Sequence, residues 1–99
     1  MDVELQYFDG CPNWTVAQER LLEALRRAGH DDVSIVLRRV ETHEDAVAAN
    51  FRGSPSFLIN GTDPFPTGEG APGLSCRVYR SPTGLSGCPS VEDLVTALG

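Results

Sequence analysis

The feature that most constrains the fold is the junction at Cys11, where a strand pattern passes directly into a long helix pattern. Residues 3–8 alternate between apolar and polar side chains, which is typical of a strand with one exposed face. From Asn13 to Ala28 apolar side chains recur every three or four residues, and this spacing predicts an amphipathic helix. Gly29 is placed to end that helix in the left-handed conformation. The sequence therefore puts Cys11 on a strand-to-helix turn, at the amino end of the helix.

The rest of the chain continues the alternation of strand and helix patterns. We predict a strand over Asp32–Arg39 and a short helix from Thr42 to about Asn50. These are followed by a compact apolar strand over Ser56–Ile59, a fourth strand over Cys76–Arg80 and a final capped helix over Ser90–Leu98. Residues at about 62–74 are rich in proline and glycine and predict a loop insertion. The order β-α-β-α-β-β-α predicts one α/β domain, residues 1–99, with a four-stranded mixed sheet flanked by helices. We expect its first two strands to be parallel and its last two antiparallel.

Composition excludes several classes of partner. The formal net charge of −6 disfavours a nucleic-acid partner, which would require a basic face. No run approaches the roughly 18 apolar residues of a membrane span, and the acidic start Met1–Glu4 is unlike a signal peptide. We therefore expect a cytosolic protein, in a compartment that keeps thiols reduced. Its three cysteines then predict chemistry or core packing, because none of the standard zinc spacings is present.

The position of Cys11 predicts a reactive thiol. The macrodipole and the unpaired N–H groups of a first helical turn stabilise an anion, so a thiolate is favoured there. The alternative is a small buried cysteine that only begins the helix.

Two motifs and the element order carry a resemblance to a known group of proteins. The turn Asp9-Gly10-Cys11-Pro12-Asn13-Trp14 resembles the glutaredoxin active-site turn, in which a cysteine–proline pair opens the helix. The segment from Phe51 to Gly61 resembles the one that carries the cis-proline of the thioredoxin-like superfamily. The likeness extends from Val3 to Leu98, apart from the loop insertion, and implies a thioredoxin-like fold.

The same resemblance implies roles for individual residues. The peptide bond between Ser54 and Pro55 would be cis and would face Cys11. Ser54 and Pro55 would then supply backbone contacts to an extended thiol substrate, and Trp14 would form one wall of its groove. From the residues alone, a trans Pro55 at the start of a strand is also tolerated. Trp14 is also explained as a core aromatic under the first turn.

The chain departs from the dithiol members of that superfamily three residues after Cys11. They carry a second cysteine there, whereas this chain has Trp14, which excludes an intrahelical disulfide. The position of the buried carboxylate near the thioredoxin motif falls on Leu5. The resemblance therefore implies a monothiol variant, or one whose second cysteine lies elsewhere in the chain.

Two further cysteines are candidates for that partner. Cys88 lies in Ser86–Ser90, which resembles the glycine-rich glutaredoxin turn before the last helix, and the family topology puts it on the side of Cys11. Cys76 is predicted at the far end of the fourth strand, roughly 13 Å away at about 3.3 Å per residue. That distance exceeds the reach of a disulfide. An unpaired loop cysteine at position 88, and a loop that bends Cys76 towards the site, both stay open.

The sequence thus predicts a thiol–disulfide redox protein in which Cys11 is the nucleophile and Cys88 resolves the mixed disulfide. Its expected partner is a thiol or disulfide substrate, either glutathione or a protein, and no cofactor is implied. One alternative is a thiol protein that binds a soft metal, mercury or copper. Another is a non-catalytic thioredoxin-fold binding module. Arg52 would pair with a substrate carboxylate or with Cys11, or would be a solvated surface charge.

Overall fold

The computed structural model of the chain describes residues 1–49, 51, 53–65, 77–81 and 84–99. Its elements, in chain order, are β1 (Val3–Tyr7), α1 (Trp14–Arg27), β2 (Ile35–Arg39), α2 (His43–Ala49), β3 (Ser56–Ile59), β4 (Tyr79–Ser81), β5 (Gly84–Ser86) and α3 (Val91–Leu98). The three predicted helices are confirmed, with bounds within about two residues of those expected from their patterns. None of the described helices is long and apolar enough to cross a membrane.

The main sheet has three strands in the order β2-β1-β3, so β1 lies in the centre. Strands β1 and β2 are parallel, as their helical connection predicted, and Leu5 lies opposite Leu37. Strand β3 runs antiparallel to β1 and places Phe57 opposite Leu5. The carboxyl end of β1 and the amino end of β3 therefore meet at one edge of the sheet. That edge receives Cys11, which follows β1, and the segment Ser54–Pro55, which precedes β3.

The expected four-stranded mixed sheet with seven elements is wrong. The predicted fourth strand is observed as β4, and it pairs with β5 in a separate antiparallel ladder, not with the main sheet. Ser81 pairs with Gly84, so the two strands pair with each other although only two residues separate them in the chain. Apolar alternation predicts a strand but does not specify which strand it pairs with. Here β4 pairs with β5, the strand that follows it directly in the chain. The predicted start of this strand, Cys76, lies outside the described residues.

The core lies between the main sheet and the helices α1 and α3. One face of α1 is fully buried because its small and apolar residues recur at helical spacing. That face packs with the inner side chains of the sheet and with α3, a cluster that includes Ala17, Leu21, Ala24, Leu25, Val3, Leu5, Phe57, Leu94 and Leu98. Helix α3 is stabilised at its start by Ser90, whose side chain accepts a hydrogen bond from the backbone N–H of Asp93. This packing fixes the amino ends of α1 and α3 relative to the sheet edge.

A second, smaller apolar cluster lies beneath α2. It joins Val40, Ala46 and Phe51, and Phe8 packs against it. Because Phe8 directly follows β1, this cluster holds the start of the turn that leads to Cys11.

Candidate thiol site

Cys11 lies in the turn between β1 and α1, three residues before the first helical residue, Trp14. The turn is closed by a hydrogen bond from the backbone N–H of Cys11 to the carbonyl oxygen of Phe8, at 3.1 Å. The Cys11 side chain is only 1% exposed. Its thiol donates a hydrogen bond to the carbonyl oxygen of Ser54, with 3.4 Å between sulfur and oxygen. The strand-to-helix placement is confirmed, and the thiol is held beneath the surface.

Ser54 and Pro55 form the wall of the site opposite α1. The peptide bond between them is cis, which confirms the geometry that the resemblance implied. Both residues are buried, and the hydroxyl oxygen of Ser54 has no hydrogen-bond partner in the part of the chain that the structure describes. The carbonyl oxygen of Ser54 accepts from the Cys11 thiol and also from the backbone N–H of Arg77, at 2.9 Å. The Ser54 carbonyl therefore joins the Cys11 turn to the segment that contains Arg77.

Arg77 and Tyr79 support that wall from behind, a role that the sequence analysis did not foresee. The Arg77 guanidinium is buried, forms an ion pair with Asp63 at 2.7 Å and donates to the Ser56 hydroxyl at 3.2 Å. The Tyr79 hydroxyl donates to the carbonyl oxygen of Pro55. Gly53 fits against Arg77, since a Cβ at this glycine would lie 2.9 Å from the Arg77 Cβ. An arginine two residues before a tyrosine, within an apolar strand pattern, was the available sequence signal.

Cys88 reaches the same region from the other side. It is 4% exposed and belongs to the main core cluster, directly before the start of α3. Its neighbour Gly87 contacts the first turn of α1 so closely that a Cβ there would overlap the side chain of Asn13. Arg20 of α1 donates a hydrogen bond to the carbonyl oxygen of Pro89, at 3.1 Å. The Cys88 segment is thus packed on the end of α1 that follows Cys11.

The electrostatics of the thiols agree with this proximity. Burial raises the pKa of the Cys88 thiol, the Arg20 guanidinium opposes part of that rise, and the charge of Cys11 adds to it. Burial also raises the pKa of the Tyr79 phenol well above its ordinary value, and both cysteines contribute to the rise. Cys11 and Cys88 are both free thiols in the structure. Two reduced cysteines and a buried tyrosine therefore share one weakly polar environment.

Trp14 is half-buried and stacks on Tyr7, with 4.1 Å between the ring centroids and an angle of 21° between the planes. It covers the end of β1 next to the Cys11 turn, which is compatible both with a groove wall and with a core aromatic. His43 is exposed on α2 and His30 follows α1. Cys76 and Arg52, the other residues considered above, lie outside the described residues. Within the described ranges, no group of three or more His, Cys, Asp or Glu side chains is arranged to hold a metal ion.

Comparison with models of known protein families, with curated proteins and with solved structures finds no match for this chain. The arrangement of its own residues defines it as a small α/β domain with two buried thiols, one in the turn before α1 and one in the segment that packs on that helix. Its function is argued from that arrangement.

Proposed function

We propose that the protein is a thiol–disulfide redox protein in which Cys11 is the nucleophile and Cys88 is the resolving thiol. The observation that carries the proposal is that Cys11 contacts the Ser54 carbonyl in the turn before α1, while the segment of the second unbonded cysteine, Cys88, packs on the amino end of the same helix. Cys11 lies in the turn that leads into the amino end of α1, the kind of position that reactive cysteines often occupy. The raised pKa of Cys88 favours its protonated form, which suits a thiol that acts second.

In the proposed reaction the Cys11 thiolate attacks one sulfur of a substrate disulfide. A bond forms between Cys11 and that sulfur, the substrate S–S bond breaks, and the other sulfur leaves as a thiolate that takes up a proton. Cys88 then loses its proton and attacks the Cys11 sulfur. This step releases the second substrate thiol and leaves a disulfide between Cys11 and Cys88. The substrate is thereby reduced by two electrons, and an external thiol restores the protein.

Burial of Cys11 restricts the substrates that can react. With 1% of its side chain exposed, the sulfur is reached only when the turn opens locally or a narrow, extended disulfide displaces its cover. Trp14 borders the turn and is the side chain that a substrate would meet first. A reducing compartment such as the cytosol would return the pair to its dithiol form between cycles. Membership of the thioredoxin-like superfamily is part of this proposal and rests on the two motifs.

The proposal is tested by trapping the mixed disulfide. The reduced protein is incubated with a small fluorescent disulfide, and labelled peptides are mapped by mass spectrometry. Cys88→Ser is expected to accumulate the label on Cys11, because the second attack is removed. Wild-type protein is expected to release the label and form the bond between Cys11 and Cys88. Equal labelling of Cys88→Ser and of the double variant Cys11→Ser/Cys88→Ser would contradict the proposal.

A further inference from the structure

Tyr79 contacts both halves of the candidate thiol site. Through its hydroxyl it donates to the carbonyl oxygen of Pro55, next to the Ser54 carbonyl that accepts from Cys11. Through its backbone it pairs with Ser86, two residues before Cys88. Tyr79 therefore links the Ser54–Pro55 wall, which contacts Cys11, to strand β5, which precedes Cys88.

The ring of Tyr79 is fixed on several sides, so its hydroxyl has little freedom. The side chain is 5% exposed. Phe57 and Phe65 pack edge-on against it, with centroid distances of 6.1 Å and 5.4 Å. The Arg77 guanidinium lies 4.7 Å from the ring centroid, and the backbone of Arg77 donates to Ser54. The rigid Tyr79 ring therefore fixes the distance between the backbone of β4 and the Pro55 carbonyl.

We propose that Tyr79 is a positioning residue whose hydroxyl, bonded to Pro55, sets the separation of Cys11 and Cys88 in the folded protein. This inference rests on the proposed function, because the separation matters only if the two thiols react with each other. The role assigned to Tyr79 is one of position, and its hydroxyl takes no part in the exchange. It acts by fixing the β4–β5 ladder, and with it Cys88, relative to the Ser54–Pro55 wall.

The dithiol–disulfide equilibrium distinguishes a positioning role of the Tyr79 hydroxyl from a contribution to stability alone. If the hydroxyl only stabilises the fold, its removal lowers the free energy of unfolding of the dithiol and disulfide forms equally. The equilibrium between the two forms is then unchanged, because each is shifted by the same amount. If the hydroxyl positions the thiols, its removal lowers the probability of the bonded geometry. The disulfide then becomes easier to reduce.

The test compares Tyr79→Phe with wild-type protein in glutathione redox buffers, with the fraction of the Cys11–Cys88 disulfide measured by acid trapping and mass spectrometry. The variant keeps the ring and removes the hydrogen bond to the Pro55 carbonyl, a loss that shifts an equilibrium constant by at most about tenfold. We expect the disulfide equilibrium constant to fall by up to that factor, because the disulfide form depends more on the bond than the dithiol form does. Tyr7→Phe is the matched control, since it removes the hydroxyl of the other tyrosine. It is expected to leave the equilibrium unchanged. An unchanged equilibrium in Tyr79→Phe would overturn the inference.

A second probe measures the separation of the thiols without redox chemistry. Phenylarsine oxide condenses with two neighbouring thiols, forms two As–S bonds and releases one water. Its affinity is expected to fall in Tyr79→Phe and to persist in Tyr7→Phe. If wild-type protein binds the arsenical more tightly than Tyr79→Phe but exchanges with no disulfide, the proposed function fails while the positioning role of Tyr79 stands. If wild-type protein binds no arsenical across Cys11 and Cys88, the inference is overturned as well.

Discussion

Cys88 holds its proton more tightly in the folded protein than in the unfolded chain, because burial raises its pKa. A raised folded-state pKa contributes stability that is fully present below the ordinary thiol pKa of about 8.5 and is lost as pH rises through the folded value. We therefore predict that the free energy of unfolding of the reduced protein falls as pH rises above about 8.5. Urea denaturation under reducing conditions measures it.

Cys88→Ala is the variant that isolates this effect, since every other titrating group is retained. Its stability is expected to depend less steeply on pH over the same range. Tyr79 has a raised pKa too, but its ordinary value lies near 10, so its contribution appears at more alkaline pH. Identical slopes for the variant and the wild-type protein would show that Cys88 is not the responsible group.

Gly87 is required by the close approach of the Cys88 segment to α1. A methyl group at this position would overlap the side-chain amide of Asn13. We predict that Gly87→Ala lowers the free energy of unfolding by about 1 kcal/mol, the lower end of the cost of an added methyl group, because the overlapped Asn13 atoms are the end of a side chain that can turn away. Thermal or urea denaturation measures the loss.

The prediction for Gly87 is specific to its contact with Asn13. In an Asn13→Ala background the overlapping atoms are absent, and Gly87→Ala is expected to cost much less. Asn13 makes no side-chain capping hydrogen bond to α1, so its replacement is itself well tolerated. Additive effects in the double variant would argue against the contact.

At the scale of elements, local chemistry explains what the sequence could predict. The helix from Trp14 to Arg27 is encoded by its own period, and its buried face is the one that the pattern indicates. The cis bond before Pro55 was predicted only through the resemblance, since the residues alone also allow a trans bond. Cys88 was placed near Cys11 by the same route. The helix depends on a short, contiguous stretch of chain, whereas the other two predictions came from the resemblance.

What could not be predicted depends on segments that are distant in the sequence. The pairing of β4 with β5, in place of the main sheet, is a choice between partners that apolar alternation does not encode. The support given by Arg77 and Tyr79 to the Ser54–Pro55 wall uses hydrogen bonds across more than twenty residues. The expectation that Ser54 and Pro55 would face a substrate did not anticipate their complete burial.

The ion pair between Arg77 and Asp63 joins the chain after β3 to the start of β4. Arg77 is almost fully buried and Asp63 is a quarter exposed. Loss of one charge from such a pair leaves the other without compensation in a medium of low polarity. We predict that Asp63→Asn lowers the free energy of unfolding by about 2–3 kcal/mol, somewhat less than a fully buried pair. Chemical denaturation gives the value.

A surface pair of the same kind serves as the control. Asp9 pairs with Arg39 at 3.1 Å, and both side chains are at least half exposed. Asp9→Asn is expected to cost less than about 1 kcal/mol because solvent screens the pair. If the two variants were equally mild, the Arg77 ion pair would not support the site as described.

At the scale of the whole molecule, Cys11 and Cys88 lie near opposite ends of the chain, and the Cys88 segment packs on the helix that follows Cys11. A bond between them would close a loop of about 77 residues, the difference between their positions. A disulfide that closes a loop of that length lowers the entropy of the unfolded chain and so stabilises the folded state by at most about 4.5 kcal/mol. Any mismatch between the folded geometry and a relaxed disulfide reduces this gain. The stability of the oxidised protein therefore reports how well the folded state accommodates the bond.

We predict that mild peroxide treatment links Cys11 to Cys88 within one chain and raises the free energy of unfolding by about 2–4 kcal/mol. Peroxide first converts one thiolate to a sulfenic acid, which then condenses with the second thiol and releases water. Non-reducing digestion should yield one peptide pair that contains both residues, and Cys88→Ser should yield neither the pair nor the gain in stability. A bond between Cys11 and Cys76 would show instead that the predicted loop at about 62–74 brings that cysteine to the site. Dimers linked only through Cys11 would remove Cys88 from the mechanism. Such dimers would mean that oxidised Cys11 reacts with the Cys11 of a second chain and not with Cys88 of its own chain.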